Sequence, residues 1–543
     1  AAARRVGADA VHPGYGFVSE NADFVRALEA AGLTFIGPRA DTMERVGGKA
    51  SAKREAARLG VPVIPGSEGG MTDPVEVSRL VRGMTLPVLL KAVAGGGGRG
   101  MAGGETLGGV EARIESAMRE AEKAFGNGEL IVERYLPQVR HLEVQVAGDG
   151  QGHAIHLFER ECTLQRRHQK VIEEAPSAGL SPRLREAILA DAVKLAAGVN
   201  YRGLGTVEFV VAGDAHYFLE VNPRLQVEHP VTEEVTGLDL VALQLRIAET
   251  GSLPLAQTDV VCRGHAFEAR LCAEDADAGF LPAMGRLDVV DFSRSGVRIE
   301  SGVDSGDEIS PHYDSMIAKL IVHGKDRQQA IERMRDALNH FVIRGISSNI
   351  PFQAALLQHP RFCSGNFNTG FIAEEYPQGF DASMVPHDDP ALLAAVATFA
   401  RMRYIERAVQ IEGQLAGHGR KVASEWVVVM GGKQYAMSTR AIDGGLAVTH
   451  EGKTYNIVSD WKFGDLLFSG TVNGAPIGLQ IERRGLRYRI SHFGLQVEPM
   501  MMTVRAAHLL SLMPAKLPPD MSKFLLSPMP GLLREVSVAE GQD

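Results

Sequence analysis

The amino-acid sequence predicts a multidomain chain of α/β and α+β class that runs into an antiparallel β-barrel with a helix and stops at the start of a small β-sandwich. Three observations carry that expectation. Helical patterns alternate with short β-rich runs from Asp9 to about Phe371. Beyond about residue 380 the hydrophobic period shifts from helical to strand-like. At 543 residues the chain also exceeds what one hydrophobic core accommodates.

The opening residues, AAARRVGADAVHPGYGF, enter directly into helix-then-strand text, and Glu540 to Asp543 follow a newly begun β-like run, so both ends read as lying inside domains. The expected units are a partial N-terminal subdomain over 1–62, a lid over 63–135, a core with its C-terminal region over 136–376, the barrel over 380–510, a linker over 511–524 and an incomplete sandwich over 525–543. Within the core, Ile331, Met334, Leu338 and Phe341 share one stripe of a helix over 329–341, with Asp326 as its cap. Prolines and Gly379 between Pro377 and Pro390 mark a domain boundary. An alanine- and arginine-rich helix over about 390–410 follows, then the runs EWVVVM, YAMSTR, GLAVTH and TYNIVSDW, separated by Gly-containing turns. The helix VRAAHLLSLM leads into PAKLPPDMSK, which reads as an extended linker.

Composition excludes several classes of function. No apolar run approaches the roughly 20 residues that span a bilayer, and a net charge of -9 without a basic stripe argues against nucleic acid. The four cysteines, Cys162, Cys262, Cys272 and Cys363, lack the paired spacing of a zinc or redox site and read as structural thiols in a reducing compartment.

Three stretches point to chemistry. In LPVLLKAVAGGGGRGMAGG, a strand bearing Lys91 meets Gly95, Gly96, Gly97, Gly98, Arg99 and Gly100, whose backbone N–H groups can converge on a phosphate. Gly103 and Gly104 oppose the immediate helix of a dinucleotide fold, and no Walker A pattern occurs, while a plain surface hairpin stays open. In TVEFVVAGDAHYFLEVNPRLQVEHP, a three-residue hairpin loop over 213–215 would set Glu208 opposite Glu220, with Asn222 on the face of Glu220. Facing carboxylates with an amide suit Mg²⁺, although a solvated acidic face is the plain alternative. Arg224, Gln226 and Glu228 alternate with Leu225 and Val227, so an extended segment would project an oxyanion grip and a base together, or simply a salt bridge. Third, ERECTLQRRHQKVIEEAP mixes Arg160, Arg166, Arg167, His168 and Lys170 with four glutamates; His168 alone is more often a satisfied histidine than a catalytic one.

In this order, HPGYGFVSEN, FIGP, the lysine of GGKASAK, KAVAGGGGRGM, IVERYLPQVRHLEVQV, ERECTLQRRHQKVIEEAP, GTVEF, FLEVNPRLQVEHPVTE, EARLCAED and YDSMIAKL closely resemble the biotin carboxylase family of the ATP-grasp superfamily, from residue 1 to about Phe371. The resemblance implies that Lys49, Lys91, Glu133, His141, Gln165 and His168 contact ATP while the glycine loop closes over its phosphates. It implies Mg²⁺ or Mn²⁺ at Glu208, Glu220 and Asn222. Arg224, Gln226, Lys170 and the backbone near Val227 would hold bicarbonate, and Glu228 would deprotonate it for attack on the γ-phosphate. The implied product, carboxyphosphate, would release CO₂ and a phosphate that deprotonates biotin N1, with Arg270 stabilising the enolate. Tyr15 would lie near biotin. Pro223 departs from the commoner threonine of the family and stiffens the approach to Arg224.

The later barrel, helix and linker resemble the domain by which propionyl-CoA carboxylase α subunits bind carboxyltransferase β subunits, and SPMPGLLREVSVAEGQ resembles the opening of a biotin carboxyl carrier domain. The implied activity is ATP- and bicarbonate-dependent biotin carboxylation feeding propionyl-CoA. Methylcrotonyl-, acetyl- or longer acyl-CoA, another ATP-grasp ligase and a non-catalytic scaffold remain alternatives. The implied partners are a β subunit, in a hetero-oligomer for which α6β6 is considered, and biotin protein ligase. No Ala-Met-Lys-Met turn occurs, so the biotin attachment lysine is absent from this chain. The resemblance places such a chain in the cytoplasm of a bacterium or the mitochondrial matrix of a eukaryote.

Overall fold

The computed structural model describes residues 1–543 except 96–99, 293–294, 411, 414, 416, 419–421, 515–523, 525–534, 539–541 and 543. Gly96, Gly97 and Gly98, and most of the expected linker and sandwich segments, therefore lie outside the described residues. No helix among the described residues is long and apolar enough to cross a membrane.

The chain begins with two short parallel strands, β1 (Ala10–Val11) and β2 (Thr34–Phe35), bracketing the helix Ala22–Ala30. Asn21 starts that helix by accepting from the Phe24 N–H, which satisfies one of its free amides. The helix Lys49–Arg58 then leads to a three-stranded sheet, in which β3 (Val88–Ala92) runs between β4 (Met101–Gly104) and β5 (Leu130–Arg134). The helices Pro74–Arg82 and Leu107–Phe125 cover it, and Val77, Val81, Leu90, Ile114 and Val132 form an apolar cluster of its own. β3 and β4 pair antiparallel, and Ala92 N donates to Gly100 O beyond the last paired residues. Gly100 has φ +70°, and a Cβ there would come within 2.8 Å of Ala92 Cβ, so glycine is required on both counts. As the sequence predicts, no helix opens after the glycines; it waits until Leu107.

The central body is an eight-stranded sheet. Its strands are β6 (Arg140–Asp149), β7 (Ala154–Arg166), β8 (Gln169–Ala175), β9 (Arg202–Ala212), β10 (Ala215–Asn222), β11 (His265–Cys272), β12 (Arg298–Ser301) and β13 (Met316–Gly324). They lie in the order β10-β9-β6-β7-β8-β11-β13-β12, and every recorded pairing is antiparallel. The helix Pro182–Gly198 covers one face with Leu184, Ile188, Leu195 and Ala196. The helix Arg327–His340 buries Ile331, Met334 and Leu338 against β13 and β11, and Asp326 caps it by accepting from Gln329 N–H.

Beyond Pro390 a nine-stranded antiparallel sheet curls around the helix Pro390–Val409. Its first strand, β14 (Glu425–Met430), pairs with the strand Met500–Met502, while the strand Leu495–Val497 lies at the other end of the strand order. Only Glu498 and Pro499 separate those two strands, and Tyr488 N donates to Pro499 O, so the two ends of the sheet meet and the form is barrel-like. Phe399 of the enclosed helix packs edge-on to Phe468 within this core.

Candidate active site

The β9–β10 hairpin sets the first pair of functional groups. Glu208 does face Glu220, by a route other than the expected one: Ala212 pairs with Ala215 across the two-residue turn Gly213-Asp214, and a bulge between Phe218 and Glu220 restores the alignment. Without the bulge, a two-residue turn would set Leu219 opposite Glu208 and turn the acid to the wrong face. The row continues, because Glu208 pairs with Glu143 of β6 and Glu143 with Arg160 of β7. Glu220, Glu208, Glu143 and Arg160 thus stand side by side across four strands.

Three acids in such a row repel unless cations intervene. Two cations do so, one fully buried and one half-buried. Arg160 is fully buried and donates from Nε to Glu143 Oε1 (2.5 Å), with further bonds to Gln145, Thr206, Gln226 and Thr232. Lys170 Nζ lies 2.5 Å from Glu143 Oε2, 3.3 Å from Glu208 Oε1 and 2.5 Å from Glu228 Oε1. Burial penalises the charge of Lys170, but Cys162, Glu143, Glu208 and Glu228 raise its pKa well above the ordinary lysine value. His141 Nε2 meets Glu208 Oε2 at 2.7 Å while its Nδ1 meets Gln165 Nε2 at 2.6 Å; the attraction of Glu208 outweighs burial and raises the imidazole pKa.

The segment after β10 is not extended as expected. Glu228 sits in a turn and precedes the helix His229–Thr236, so only two of the three alternating groups converge. Gln226 donates to Glu208 Oε1 (2.9 Å), and Glu228 joins Lys170 and Arg270, whose Nη2 lies 2.9 Å from Glu228 Oε2. Arg224 turns away instead, to Glu20 Oε1 at 2.8 Å, with a 3.4 Å bond to Asn222 Oδ1. Burial alone would raise the Glu228 carboxyl, but Lys170, Arg270 and Arg160 together hold it below the usual carboxylate range. Lys319 fixes the turn by donating to Val227 O (2.8 Å).

Glu208, Glu220 and Asn222 offer only carboxylate and amide oxygens, a donor set that suits a hard divalent cation. Burial and the neighbouring Glu208 raise the Glu220 carboxyl, a cost that a cation between the two would remove. His141, Glu143 and Glu208 also bring ligand atoms within 4.8 Å of one another.

Across from this row, Lys91 of β3 and Lys53 both bond Glu133 of β5, at 2.6 and 2.8 Å. Lys49, the first residue of its helix, has its pKa lowered by burial, and it senses Glu220 and Glu133 as well as Lys91. His168 lies exposed on the β7–β8 turn with φ 65°, and its pKa is lowered by burial and by Lys91 and His141. The predicted nucleotide residues are therefore divided between the three-stranded sheet with its leading helix and the eight-stranded sheet, near enough for Lys49 to sense Glu220 and His168 to sense Lys91. Tyr15 is exposed, and the N-terminal segment touches the site through Glu20.

Sequence reasoning missed Glu143 as a site residue, although HLEVQV places His141, Glu143 and Gln145 on one face by strand period. It noted Arg160 and Glu173 only as members of a mixed-charge stretch. Lys53 carried no local signal.

Four family models match the chain: biotin carboxylase, N-terminal domain (1–43), carbamoyl-phosphate synthase L chain, ATP binding domain (48–256), biotin carboxylase C-terminal domain (268–374) and propionyl-coenzyme A carboxylase BT domain (393–516). Among solved structures, a biotin carboxylase from Campylobacter jejuni superposes with TM-score 0.67 at 41% identity, covering 69% of this chain and 84% of that one. The biotin carboxylase domain of the Hydrogenobacter thermophilus 2-oxoglutarate carboxylase, in complex with MgADP, ADP and bicarbonate, gives TM-score 0.67 at 43% identity over 69% of this chain and 83% of that one. Fold and site define an ATP-grasp biotin carboxylase. A propionyl-CoA carboxylase alpha chain of Ruegeria pomeroyi is 43% identical over all of this chain and 83% of its own length, and the mitochondrial one of Mus musculus 40% identical over all of this chain and 77% of its own. The chain belongs to the family of propionyl-CoA carboxylase alpha chains.

Proposed function

We propose that this chain carries out ATP- and bicarbonate-dependent carboxylation of carrier-linked biotin, as the alpha subunit of a propionyl-CoA carboxylase giving methylmalonyl-CoA. The observation that carries the reading is Glu228, buried and held ionised between Lys170 and Arg270, with Lys170 joining it to Glu208, which faces Glu220.

Lys49, Lys91, Glu133, His141, Gln165 and His168 would bind ATP, with Gly95 to Gly100 over its phosphates, and Glu208, Glu220 and Asn222 would hold Mg²⁺ or Mn²⁺. The metal would neutralise phosphate charge. Gln226 and Lys170 would bind bicarbonate together with Arg224, which would leave Glu20 to join them, and Glu228 would take the substrate's proton. A carboxylate held so far below its usual range is a weak base. Bicarbonate gathering the charge of Lys170 to itself would loosen the Lys170–Glu228 pair and raise the proton affinity of Glu228 as substrate binds. Arg270 would meet biotin, whose ureido nitrogen accepts the carboxyl group. The barrel-like sheet would bind the carboxyltransferase β subunit, an α6β6 assembly is the proposed form, and biotin protein ligase would modify the carrier. The bacterial cytoplasm or the mitochondrial matrix is the proposed compartment, since the related alpha chains include bacterial and mitochondrial ones. The match to the BT domain favours propionyl-CoA over other acyl-CoA acceptors.

ADP release with and without bicarbonate and free biotin tests the assignment. Release that needs both, and is lost in Glu228→Gln, is expected. ATP use indifferent to biotin would point to another ligase chemistry.

A further inference from the structure

Behind Arg270 lies a second pair of carboxyl groups that the proposed reaction does not use. Glu268 precedes Arg270 by two residues on β11, so both side chains stand on one face, and Glu268 pairs across the strands with Glu173 of β8. Both glutamates are fully buried. Glu173 Oε1 accepts from Arg270 Nε at 2.6 Å, whereas Glu173 Oε2 and both oxygens of Glu268 have no hydrogen-bond partner.

Two buried carboxylates placed opposite one another cannot both ionise without a large cost, and a buried charge lacking donors adds to it. The groups around Glu268 do not supply the missing charge. On β8 stand Glu173 and Lys170, and Lys170 is spent on Glu143, Glu208 and Glu228. Arg270 on β11 is divided between Glu173 and Glu228, and Lys319 on β13 is held by Glu300 of β12 (2.5 Å) and by Val227 O. Glu228 and His229 face the cluster from the start of their helix, and His229 Nδ1 is engaged by Gln226 O. One proton shared between Glu173 and Glu268 removes the excess charge and gives two of the three unpartnered oxygens a partner.

We propose that Glu173 is a positioning residue for Arg270, and that a proton shared with Glu268 sets the charge behind that arginine. The link to catalysis rests on the function proposed above. Burial pushes the Glu173 carboxyl up to about 7 and the Glu268 carboxyl well above the usual range, in keeping with a proton retained near neutrality. Loss of that proton as pH rises would leave an added negative charge beside Arg270, drawing its guanidinium off Glu228.

The test uses this chain with free biotin as acceptor, and the variants Glu173→Ala, Glu173→Gln and Glu268→Gln. Glu173→Ala is expected to lower kcat for biotin-dependent ADP release by about tenfold or more at unchanged KM for ATP, because the arginine loses its anchor. Glu173→Gln should recover most of that loss, since its amide oxygen still accepts from Arg270 Nε. In Glu268→Gln the alkaline fall of kcat should move upward by about one pH unit or more, as the neutral amide has no proton to lose. A Glu173→Ala enzyme with unaltered kcat, or a Glu268→Gln profile that superposes on the unmodified one, would overturn the proposal. Infrared spectroscopy of the unmodified chain decides the proton independently of folding in the variants: with ¹³C-labelled glutamate, a carbonyl band of a protonated carboxyl should persist at pH 7, and its absence would also overturn the proposal. If the unmodified chain shows no bicarbonate- and biotin-dependent turnover, the catalytic reading fails while the infrared band still decides the proton.

Discussion

The eight-stranded sheet and the barrel-like sheet are both antiparallel, yet they bury opposite chemistry. Across β6 to β11 the interior holds Glu143, Glu159, Arg160, Glu161, Glu173, Glu174, Glu208 and Glu268. The barrel closes on Val396, Phe399, Val428, Val448, Ile457, Phe468, Leu479 and Ile490. A buried ion pair stabilises a fold less than apolar packing of the same volume does, so a sheet filled with charge is retained for what the charge does. The barrel follows the opposite rule: burial of apolar area holds it together.

Glu228→Gln should produce the largest effect on function. It removes the proposed base without opening a cavity, and bicarbonate-dependent ADP release is expected to drop about 10² to 10⁴-fold. Thermal unfolding of the same variant should stay close to that of the unmodified chain; a collapse of stability would mean that the charge is structural. Arg160→Met comes next, because it leaves Glu143 Oε1 and Gln226 Oε1 without the buried arginine donor, and a loss of about 3–5 kcal/mol is expected from denaturant unfolding followed by circular dichroism. A neutral outcome would erase the contrast between the two sheets.

The two tryptophans, Trp426 and Trp461, both lie in the barrel, so their fluorescence reports that region separately. Phe399→Ala should cost about 3–5 kcal/mol in the fluorescence-detected transition through the void it leaves beside Phe468. ADP release by the folded fraction should change little. The smallest effect is expected from Asp389→Asn. Asp389 caps the enclosed helix through Leu392 N and holds Lys453 (2.5 Å) and Tyr455 (2.9 Å), so its loss should cost about 1 kcal/mol. Burial opposes ionisation of Asp389, but Lys453 and Tyr455 depress its folded pKa, so its contribution is present above the ordinary aspartate value and vanishes as pH falls through the lowered one. The difference between Asp389→Asn and the unmodified chain should therefore shrink in acid, and a difference independent of pH would assign the effect to the cap alone.

Much of this was legible in the chain. Periodicity marked a helix over 329–341, observed at Arg327–His340, because it buries one stripe at helical spacing, whereas alanine- and arginine-rich composition marked the one over about 390–410, observed at Pro390–Val409 and buried without a break from Leu393 to Ala400. Gly-containing turns marked the barrel strands, since tight hairpins need residues that accept positive φ. Ordered motifs identified the family, and of the site residues they implied, Glu208, Glu220, Gln226, Glu228, Lys170 and Arg270 lie in one network of contacts. The sequence by itself thus determined which residue types were present for phosphate, metal and bicarbonate, and in what order. It anticipated that Glu208 would face Glu220, by a different turn, and left most of the other meetings open. The facing of Glu208 and Glu220 depends on a bulge that no local pattern announces. Arg224 went to Glu20, some 200 residues away in the chain, and Lys170 became the cation shared by three glutamates from three separate segments. Tertiary structure alone decided these pairings, because a charge brought into a protein interior takes whichever counter-charge the packed sheet places within reach, whatever its distance along the chain.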